Sequence, residues 1–187
     1  MADTNRQFVL AERPTGKPDS DAFALEEAET PTPAANEVLV RTRYLSVDPY
    51  MRGRMDDRES YADPWAVGDP LRGHVVGEVA ASKHDRWAEG DLVFGHLLWA
   101  DYALAHGADL TPVDPDLAPL PAYLGVLGMP GRTAYFGMLE VGDPEPGETV
   151  VVSGAAGAVG STAGQIARLA GCRVVGFAGT DEKVRFL

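Results

Sequence analysis

The small residues from Ala155 to Gly160 could hold a phosphate group close to the main chain. They follow a short apolar run, Thr149–Ser153, and precede apolar residues at helical spacing. A strand, a tight A-x-G-x-x-G turn and a helix start are the context of the dinucleotide fingerprint, in which pyrophosphate approaches the helix N-terminus. Glycines that only permit tight packing are the alternative. The cofactor-binding residues predicted here are Ala155, Gly157, Ala158, Val159 and Gly160.

The end of the next predicted strand, Val174–Phe177, bears on which nicotinamide cofactor such a site would take. An NAD site usually carries Asp or Glu at this point, which binds the ribose hydroxyls. Here Gly179 and Thr180 occupy that place, and Lys183 lies one turn into a helix that Thr180 is predicted to cap. A hydroxyl and an ammonium group suit a phosphate better than a ribose diol, so the sequence favours NADP(H). A solvated surface side chain is the alternative for Lys183.

Two different patterns precede this segment. Up to about residue 120, short apolar runs alternate with Pro, Gly and Asp, which is typical of a partly open β-barrel. Strands are predicted at Gln7–Pro14, Phe23–Glu29, Glu37–Val47, Gly73–Ser82, Gly90–His96 and Trp99–Ala105, with a charged loop after the third. From about residue 121 the spacing becomes helical, and two short helices are predicted to flank a turn at Met129–Gly131. The predicted domains are a barrel, residues 1–120, and part of a nucleotide-binding domain, residues 121–187.

The charge balance argues against several classes of partner. The chain has 28 acidic and 16 basic residues and a formal net charge of −12, which repels nucleic acid and anionic membranes. No segment approaches the roughly 18 apolar residues of a membrane span, and the N-terminus lacks a signal peptide's apolar stretch, so a cytoplasmic location is predicted. Arginines far outnumber lysines, as in proteins adapted to molar salt. An ordinary acidic cytosolic protein is the alternative to this halophilic interpretation.

Several longer stretches follow one another along the whole chain in an order typical of one family. They are SVDPYMRGRM, GHVVGEV, GDLVFG, LGVLGMPGRTAYFGMLEVG, GETVVVSGAAGAVGSTAGQIARLAGCRVVGFAG and TDEKVRFL. With them the chain resembles the medium-chain dehydrogenase/reductases, specifically the zinc-free branch of alkenal and enone reductases. This branch includes leukotriene dehydrogenase, prostaglandin reductases and bacterial curcumin reductases. The resemblance implies an α/β fold with an additional β domain: a GroES-like, partly open β-barrel followed by the first part of a Rossmann domain, a doubly wound parallel sheet.

The resemblance also implies a reaction and the residues that take part in it. The reaction is transfer of hydride from NADPH to the β-carbon of an α,β-unsaturated ketone or aldehyde, followed by protonation at the α-carbon. Met129 and Thr133 look like residues that line the nicotinamide, with ordinary helix packing as the alternative. Tyr50 looks like a residue of the substrate pocket that offers its phenol to the carbonyl or stacks on the enone, with a role in the core as the alternative.

Zinc-type alcohol dehydrogenases are the closest chemical alternative. Their catalytic zinc uses a Cys, a His and a further ligand, and their structural zinc uses several cysteines. His74 stands where a ligand histidine is expected, but no cysteine precedes it in the predicted barrel. The single cysteine, Cys172, belongs to the nucleotide-binding part. We therefore predict no metal site.

The family pattern breaks off shortly after the second strand of the predicted Rossmann domain. The resemblance therefore implies a chain truncated at its C-terminus, without the rest of the sheet, further cofactor contacts and the dimer interface usual in complete relatives. We expect the 187-residue chain to bind NADPH weakly or not at all and to have little reductase activity. The alternative of a different class is a non-enzymatic module that folds against a partner chain carrying the missing half.

Overall fold

The structure, a computed structural model that describes residues 4–187, divides into two compact units, with the boundary between Leu120 and Pro121. The first unit is rich in strands and contains one short helix, α1. Its elements are β1 (Thr4–Leu10), β2 (Phe23–Glu29), β3 (Glu37–Leu45), α1 (Tyr50–Arg54), β4 (Arg72–Ser82), β5 (Leu92–Leu98), β6 (Tyr102–His106) and β7 (Thr111–Pro112). Single turns of 3-10 helix lie at Ser20–Ala22 and Gly107–Asp109. The prediction of a first part built from many short strands is confirmed.

An antiparallel sheet in the order β6-β3-β4-β5-β7 forms most of the first unit, and β1 and β2 form a separate antiparallel pair. Isolated bridges join Gln7 to Ala100 and Val9 to Pro70, so the β1–β2 pair is attached to the larger sheet. Register shifts between β3 and β4 mark irregularities of the bulge type, which bend strands and increase their twist. Such irregularities are typical of the curved sheets of partly open barrels.

The first unit buries two groups of apolar side chains. The larger group lies on the main sheet and contains alternate residues of its strands, as expected for one buried face. It includes Val38, Val40, Val75, Val79, Val93 and Leu97. The smaller group, which we call the α1 cluster, contains Leu10, Met51, Met55, Trp65 and Leu71, with Phe23, Tyr50 and Trp99 packed against it.

The second unit contains the elements of a strand-helix-strand crossover. A 3-10 helix at Leu120–Leu124 is followed by α2 (Met129–Phe136), which continues into a π-helical turn at Gly137–Gly142. The following elements are β8 (Thr149–Val152), α3 (Ala158–Leu169), β9 (Arg173–Gly176) and α4 (Asp181–Phe186). Strands β8 and β9 pair in parallel, and α3 connects them, as parallel pairing requires. The strand-helix-strand unit predicted for the first part of a Rossmann domain is therefore present.

Two predictions of local structure were wrong. The predicted turn at Met129–Gly131 is the first turn of α2, because Pro130 lies in that turn, where its missing N–H costs no helical hydrogen bond. The segment predicted as a charged loop begins with α1, where Met51 and Met55 lie one turn apart and face the α1 cluster. In residues 4–187, no helix has both the length and the apolar composition needed to cross a membrane.

Candidate functional site

The turn between β8 and α3 is tied to both strands of the parallel pair. Gly154 adopts a left-handed conformation with φ of 59°. The N–H of Ala155 donates to the carbonyl oxygen of Phe177 at 2.9 Å, and the N–H of Phe177 donates to that of Val152 at 2.9 Å. Gly157 donates in turn to the carbonyl oxygen of Gly154 at 2.8 Å. The turn is therefore held by main-chain hydrogen bonds rather than by side chains.

The turn approaches the first turn of α3 so closely that one position has no room for a side chain. A Cβ atom on Gly160 would lie 2.4 Å from the carbonyl oxygen of Gly154 and 2.9 Å from Cα of Ala155. Ala155 itself is buried, and its Cβ would lie 2.9 Å from a Cβ atom added to Gly176 of β9. Only glycine fits at position 160, because main-chain atoms of the turn fill the space of a side chain. Ala155 contributes a buried methyl group to the packing and an N–H group to the hydrogen bonds of the turn.

The N-terminus of α3 presents main-chain donors that no side chain caps. Gly157 is the N-cap residue and is exposed, with no side-chain hydrogen bond at the cap. The first hydrogen bond along the helix runs from the N–H of Ser161 to the carbonyl oxygen of Gly157 at 2.9 Å. The N–H groups of Ala158, Val159 and Gly160 therefore have no acceptor within the helix. Together with the positive end of the helix dipole, this arrangement suits the oxygens of a pyrophosphate.

The segment after β9 is exposed and contains the residues predicted to bind a phosphate. A Cβ atom on Gly179 would have no neighbour within 4 Å, so the main chain borders open space there. The side chain of Thr180 accepts a hydrogen bond from the N–H of Lys183 at 3.3 Å, which confirms the predicted helix cap. Thr180 and Lys183 are both exposed. The structure therefore brings Thr180 and Lys183 together at the start of α4.

Met129 and Thr133 also lie together, one turn apart on α2. The hydroxyl of Thr133 donates to the carbonyl oxygen of Met129 at 2.8 Å and lies 3.6 Å from its sulfur atom. The buried residues of α2 are Pro130, Gly131 and Ala134, whereas Thr133 is exposed. Packing within this unit therefore gives no reason for a threonine at this position.

Tyr50 lies in the first unit, as the first residue of α1. Its side chain is half-buried and packs against the α1 cluster. Burial raises the pKa of the phenol above its ordinary value, and the neighbouring Asp48 carboxylate raises it further, while Arg54 acts in the opposite direction. The phenol is therefore protonated throughout the neutral range and available as a hydrogen-bond donor.

Sequence reasoning did not single out Arg52, which fixes the position of α1. Its guanidinium donates to the carbonyl oxygens of Gly16 at 2.6 Å and Pro14 at 3.0 Å, in the loop between β1 and β2, and to Asp56 at 2.6 Å. The hydrogen bond from Arg52 lowers the pKa of Asp56 below its ordinary value. No sequence pattern predicts these contacts, because main-chain carbonyl groups carry no residue-specific signal.

His74 lies among aromatic rings. It stacks on Phe94 at 5.3 Å between ring centroids and meets His96 edge-on at 5.5 Å. Burial lowers the pKa of His96, and the charges of His74, Arg72 and Arg54 lower it further. Within the part of the chain that the structure describes, no three His, Cys, Asp or Glu side chains are placed to hold a metal ion.

The first unit matches a family model over residues 6–113, described as the N-terminal domain of oxidoreductase. The chain belongs to this oxidoreductase family, within the medium-chain dehydrogenase/reductases. It is 50% identical over 182 residues to the NADPH-dependent curcumin reductase of Escherichia coli (strain K12), a match that covers 97% of this chain and 52% of that enzyme. It is also 44% identical over 185 residues to prostaglandin reductase 1 of Mus musculus, covering 97% of this chain and 54% of the relative.

A solved structure supports the same assignment. CurA from Vibrio vulnificus, in a crystal structure of its complex with NADPH, matches with a TM-score of 0.90 and 47% sequence identity. The match covers 97% of this chain and 54% of that one. The predicted fold, a GroES-like barrel followed by the first part of a Rossmann domain, is therefore confirmed. The chain spans about half the length of the curated relatives it matches.

Proposed function

We propose that these residues form the substrate domain and the pyrophosphate-binding part of an NADPH-dependent reductase. Its substrates are α,β-unsaturated ketones and aldehydes, whose carbon-carbon double bond is reduced. The observation that carries the proposal is the uncapped N-terminus of α3, where the N–H groups of Ala158, Val159 and Gly160 follow the tight glycine turn. The printed functions of the relatives, an NADPH-dependent curcumin reductase and a prostaglandin reductase, support the substrate class.

The residues of this chain would bind the cofactor, select it and polarise the substrate. NADPH, when bound, supplies the hydride. The N–H groups at the start of α3 would donate to the pyrophosphate oxygens, close to the main chain of Ala155 and Gly157. Met129 and Thr133 would border the nicotinamide. The hydroxyl of Thr133 would accept a hydrogen bond from the cofactor, because its own proton is donated to the carbonyl oxygen of Met129. Tyr50 would donate a hydrogen bond from its phenol to the substrate carbonyl oxygen and so stabilise the negative charge that develops there.

The direct test is NADPH oxidation with benzalacetone as the enone, followed at the nicotinamide absorbance. It uses the purified chain and a chimaera in which this chain is followed by the part of the E. coli curcumin reductase that lies beyond the match. We expect turnover by the chimaera with NADPH and much less with NADH. A folded chimaera that binds NADPH but does not reduce benzalacetone would contradict the proposal.

Tyr50→Phe is expected to lower kcat of the chimaera about 100-fold with little change in KM, because one donor to the developing oxyanion is lost. Phenylalanine retains the packing of the ring, so the fold is expected to persist. The pKa of Tyr50 is raised above the ordinary phenol value of about 10. The wild-type rate should therefore show no fall caused by loss of the phenol proton at any pH below that value. Tyr44→Phe, at a 47% exposed position, is the control. Equal kcat values for Tyr50→Phe and Tyr44→Phe would show that the Tyr50 phenol does not take part in the reaction.

Lys183→Gln is expected to lower the affinity for NADPH about tenfold and to leave that for NADH unchanged, because a charge-assisted hydrogen bond to the ribose phosphate is lost. Gly179 and Thr180 would provide the room and the hydroxyl beside that phosphate. The ratio of the two dissociation constants is measured by titration of the chimaera. Lys83→Gln, another exposed lysine, is the matched control. A parallel loss of affinity for both cofactors would contradict the assignment.

Several finer properties belong to the same proposal. The protein would work without a metal ion, as a cytoplasmic homodimer with no nucleic acid or membrane partner, and at high salt. The net charge of −12 supports the absence of nucleic acid and membrane partners, and the same charge with the small number of lysines supports function at high salt. Activity that survives EDTA, a dimer in light scattering and a higher melting temperature in molar KCl are the corresponding checks.

A further inference from the structure

An apolar cavity of 430 Å³ lies in the first unit, beside helix α1. Its volume is within the range of about 300–1,000 Å³ that is usual for small-molecule sites. Three segments contribute its walls: the loop between β1 and β2 with the first residue of β2, the stretch 47–55 that contains α1, and the residue after β5. Its apolar lining consists mainly of Pro18, Phe23, Val47, Met51, Met55 and Trp99.

The walls of this cavity are fixed by two arginines that cross between α1 and the loop. A helix of five residues is not stable alone, so tertiary contacts must hold α1 in place. Arg52 provides them from the helix side, through its hydrogen bonds to Pro14 and Gly16. Arg13 provides them from the loop side, where it donates to the carbonyl oxygen of Met55 at 2.8 Å. The cavity is therefore formed before any ligand binds.

Each charged group that borders the cavity is either hydrogen-bonded within the protein or exposed. Arg52 is engaged by two carbonyl groups and the Asp56 carboxylate. Asp48 is buried and accepts a hydrogen bond from the hydroxyl of Ser46 at 2.8 Å. Lys17 is exposed. The interior therefore offers mainly apolar contact, and the Asp48 carboxylate repels an anion, so an uncharged apolar group is favoured over a carboxylate.

Two residues that line the cavity are the sequence neighbours of Tyr50. Pro49 and Met51, the residues on either side of Tyr50, both line it. Consecutive Cα atoms are about 3.8 Å apart, so a group in the cavity lies close to the start of α1. We propose that the cavity binds the uncharged alkyl or aryl substituent of a ketone or aldehyde, and that Val47 determines how large a substituent it accepts. The catalytic meaning of this subsite rests on the proposed function; the binding does not.

The test measures binding of two unreactive saturated ketones to the purified chain by intrinsic tryptophan fluorescence, because Trp99 lines the cavity. Methyl hexyl ketone should bind at least tenfold more tightly than methyl ethyl ketone, because each buried methylene group raises affinity about fourfold. Val47→Glu should weaken methyl hexyl ketone at least tenfold by placing a charge at the cavity wall. Val47 is 76% exposed, so this substitution leaves the core intact.

Two control variants distinguish this cavity from other apolar surfaces. Val67→Glu places the same charge at a 53% exposed valine that does not line the cavity. Gln165→Glu places a charge at a second cavity, of 390 Å³, between α3 and the β8–β9 pair. Both variants should bind methyl hexyl ketone like the wild type.

A second variant, Val47→Phe, separates size from charge. It should weaken methyl hexyl ketone at least fivefold and leave methyl ethyl ketone unchanged. Unaltered binding in both Val47 variants, or loss of binding in Gln165→Glu instead, would overturn the inference. Failure of the reductase proposal would look different: ketone binding would respond to Val47 as expected, while the chimaera would still fail to reduce benzalacetone.

Discussion

Gly160→Ala is expected to lower the affinity for NADPH about 100-fold, a cost of about 2.7 kcal/mol. The added Cβ would lie 2.4 Å from the carbonyl oxygen of Gly154 and 2.9 Å from Cα of Ala155, both main-chain atoms that a rotamer change cannot move away. The turn must shift as a whole to admit it. That shift would displace the N–H groups at the start of α3 from the pyrophosphate.

The matched control is Gly164→Ala, one turn further along the same helix. Its Cβ would lie 3.6 Å from a side-chain carbon of Val174, an ordinary van der Waals contact. Alanine favours a helix over glycine by up to about 1 kcal/mol, so this variant should bind NADPH normally and be slightly more stable. Isothermal titration of the chimaera measures both variants. Normal NADPH affinity in Gly160→Ala would show that the glycine turn does not border the cofactor.

Gly131→Ala is expected to destabilise the second unit by about 3 kcal/mol or more, which is a large part of a domain's usual 5–15 kcal/mol. A Cβ atom at this position would lie 1.7 Å from the carbonyl oxygen of Val126 and 2.9 Å from its Cα. The N–H of Gly131 also donates to the carbonyl oxygen of Gly125 at 3.1 Å, so the helix start cannot move without losing a hydrogen bond.

Gly137→Ala is the control for this prediction. Gly137 has a helical φ of −62°, and a Cβ atom there would meet nothing within 4 Å. Urea unfolding is followed by far-ultraviolet circular dichroism for helix content and by tryptophan fluorescence. All three tryptophans lie before residue 121, so fluorescence reports on the first unit. We expect Gly131→Ala to lose helix at lower urea with an unchanged fluorescence midpoint. Equal circular dichroism midpoints for both variants would contradict this.

The parts of the fold that sequence predicted well are those with strong local signals. Strand β2 has the predicted bounds, Phe23–Glu29, and the glycine turn lies between a strand and a helix as expected. Helix α1 was missed because it depends on distant residues: Met51 and Met55 are buried against Leu10 and Leu71, which no local pattern connects to them. Its charged composition alone is typical of a loop.

In the candidate site too, local contacts could be predicted from the sequence and long-range contacts could not. The cap that Thr180 forms on α4 could be predicted, because it joins residues three apart. The contacts of Arg52 could not, because they reach carbonyl groups 36 and 38 residues earlier in the chain. The apolar cavity beside α1 was equally hidden, since its lining comes from segments between Lys17 and Trp99.

The most direct test of the central claim is a two-dimensional nuclear magnetic resonance titration of the isotope-labelled chimaera with NADPH, followed at the amide signals of the residues that come from this chain. Saturable shifts of the amide signals of Gly157, Ala158, Val159 and Gly160, weakened in Gly160→Ala and retained in Gly164→Ala, are the result that the proposed function predicts. Shifts confined to other residues, or none at NADPH concentrations in the millimolar range, would contradict the claim that the N-terminus of α3 binds the cofactor.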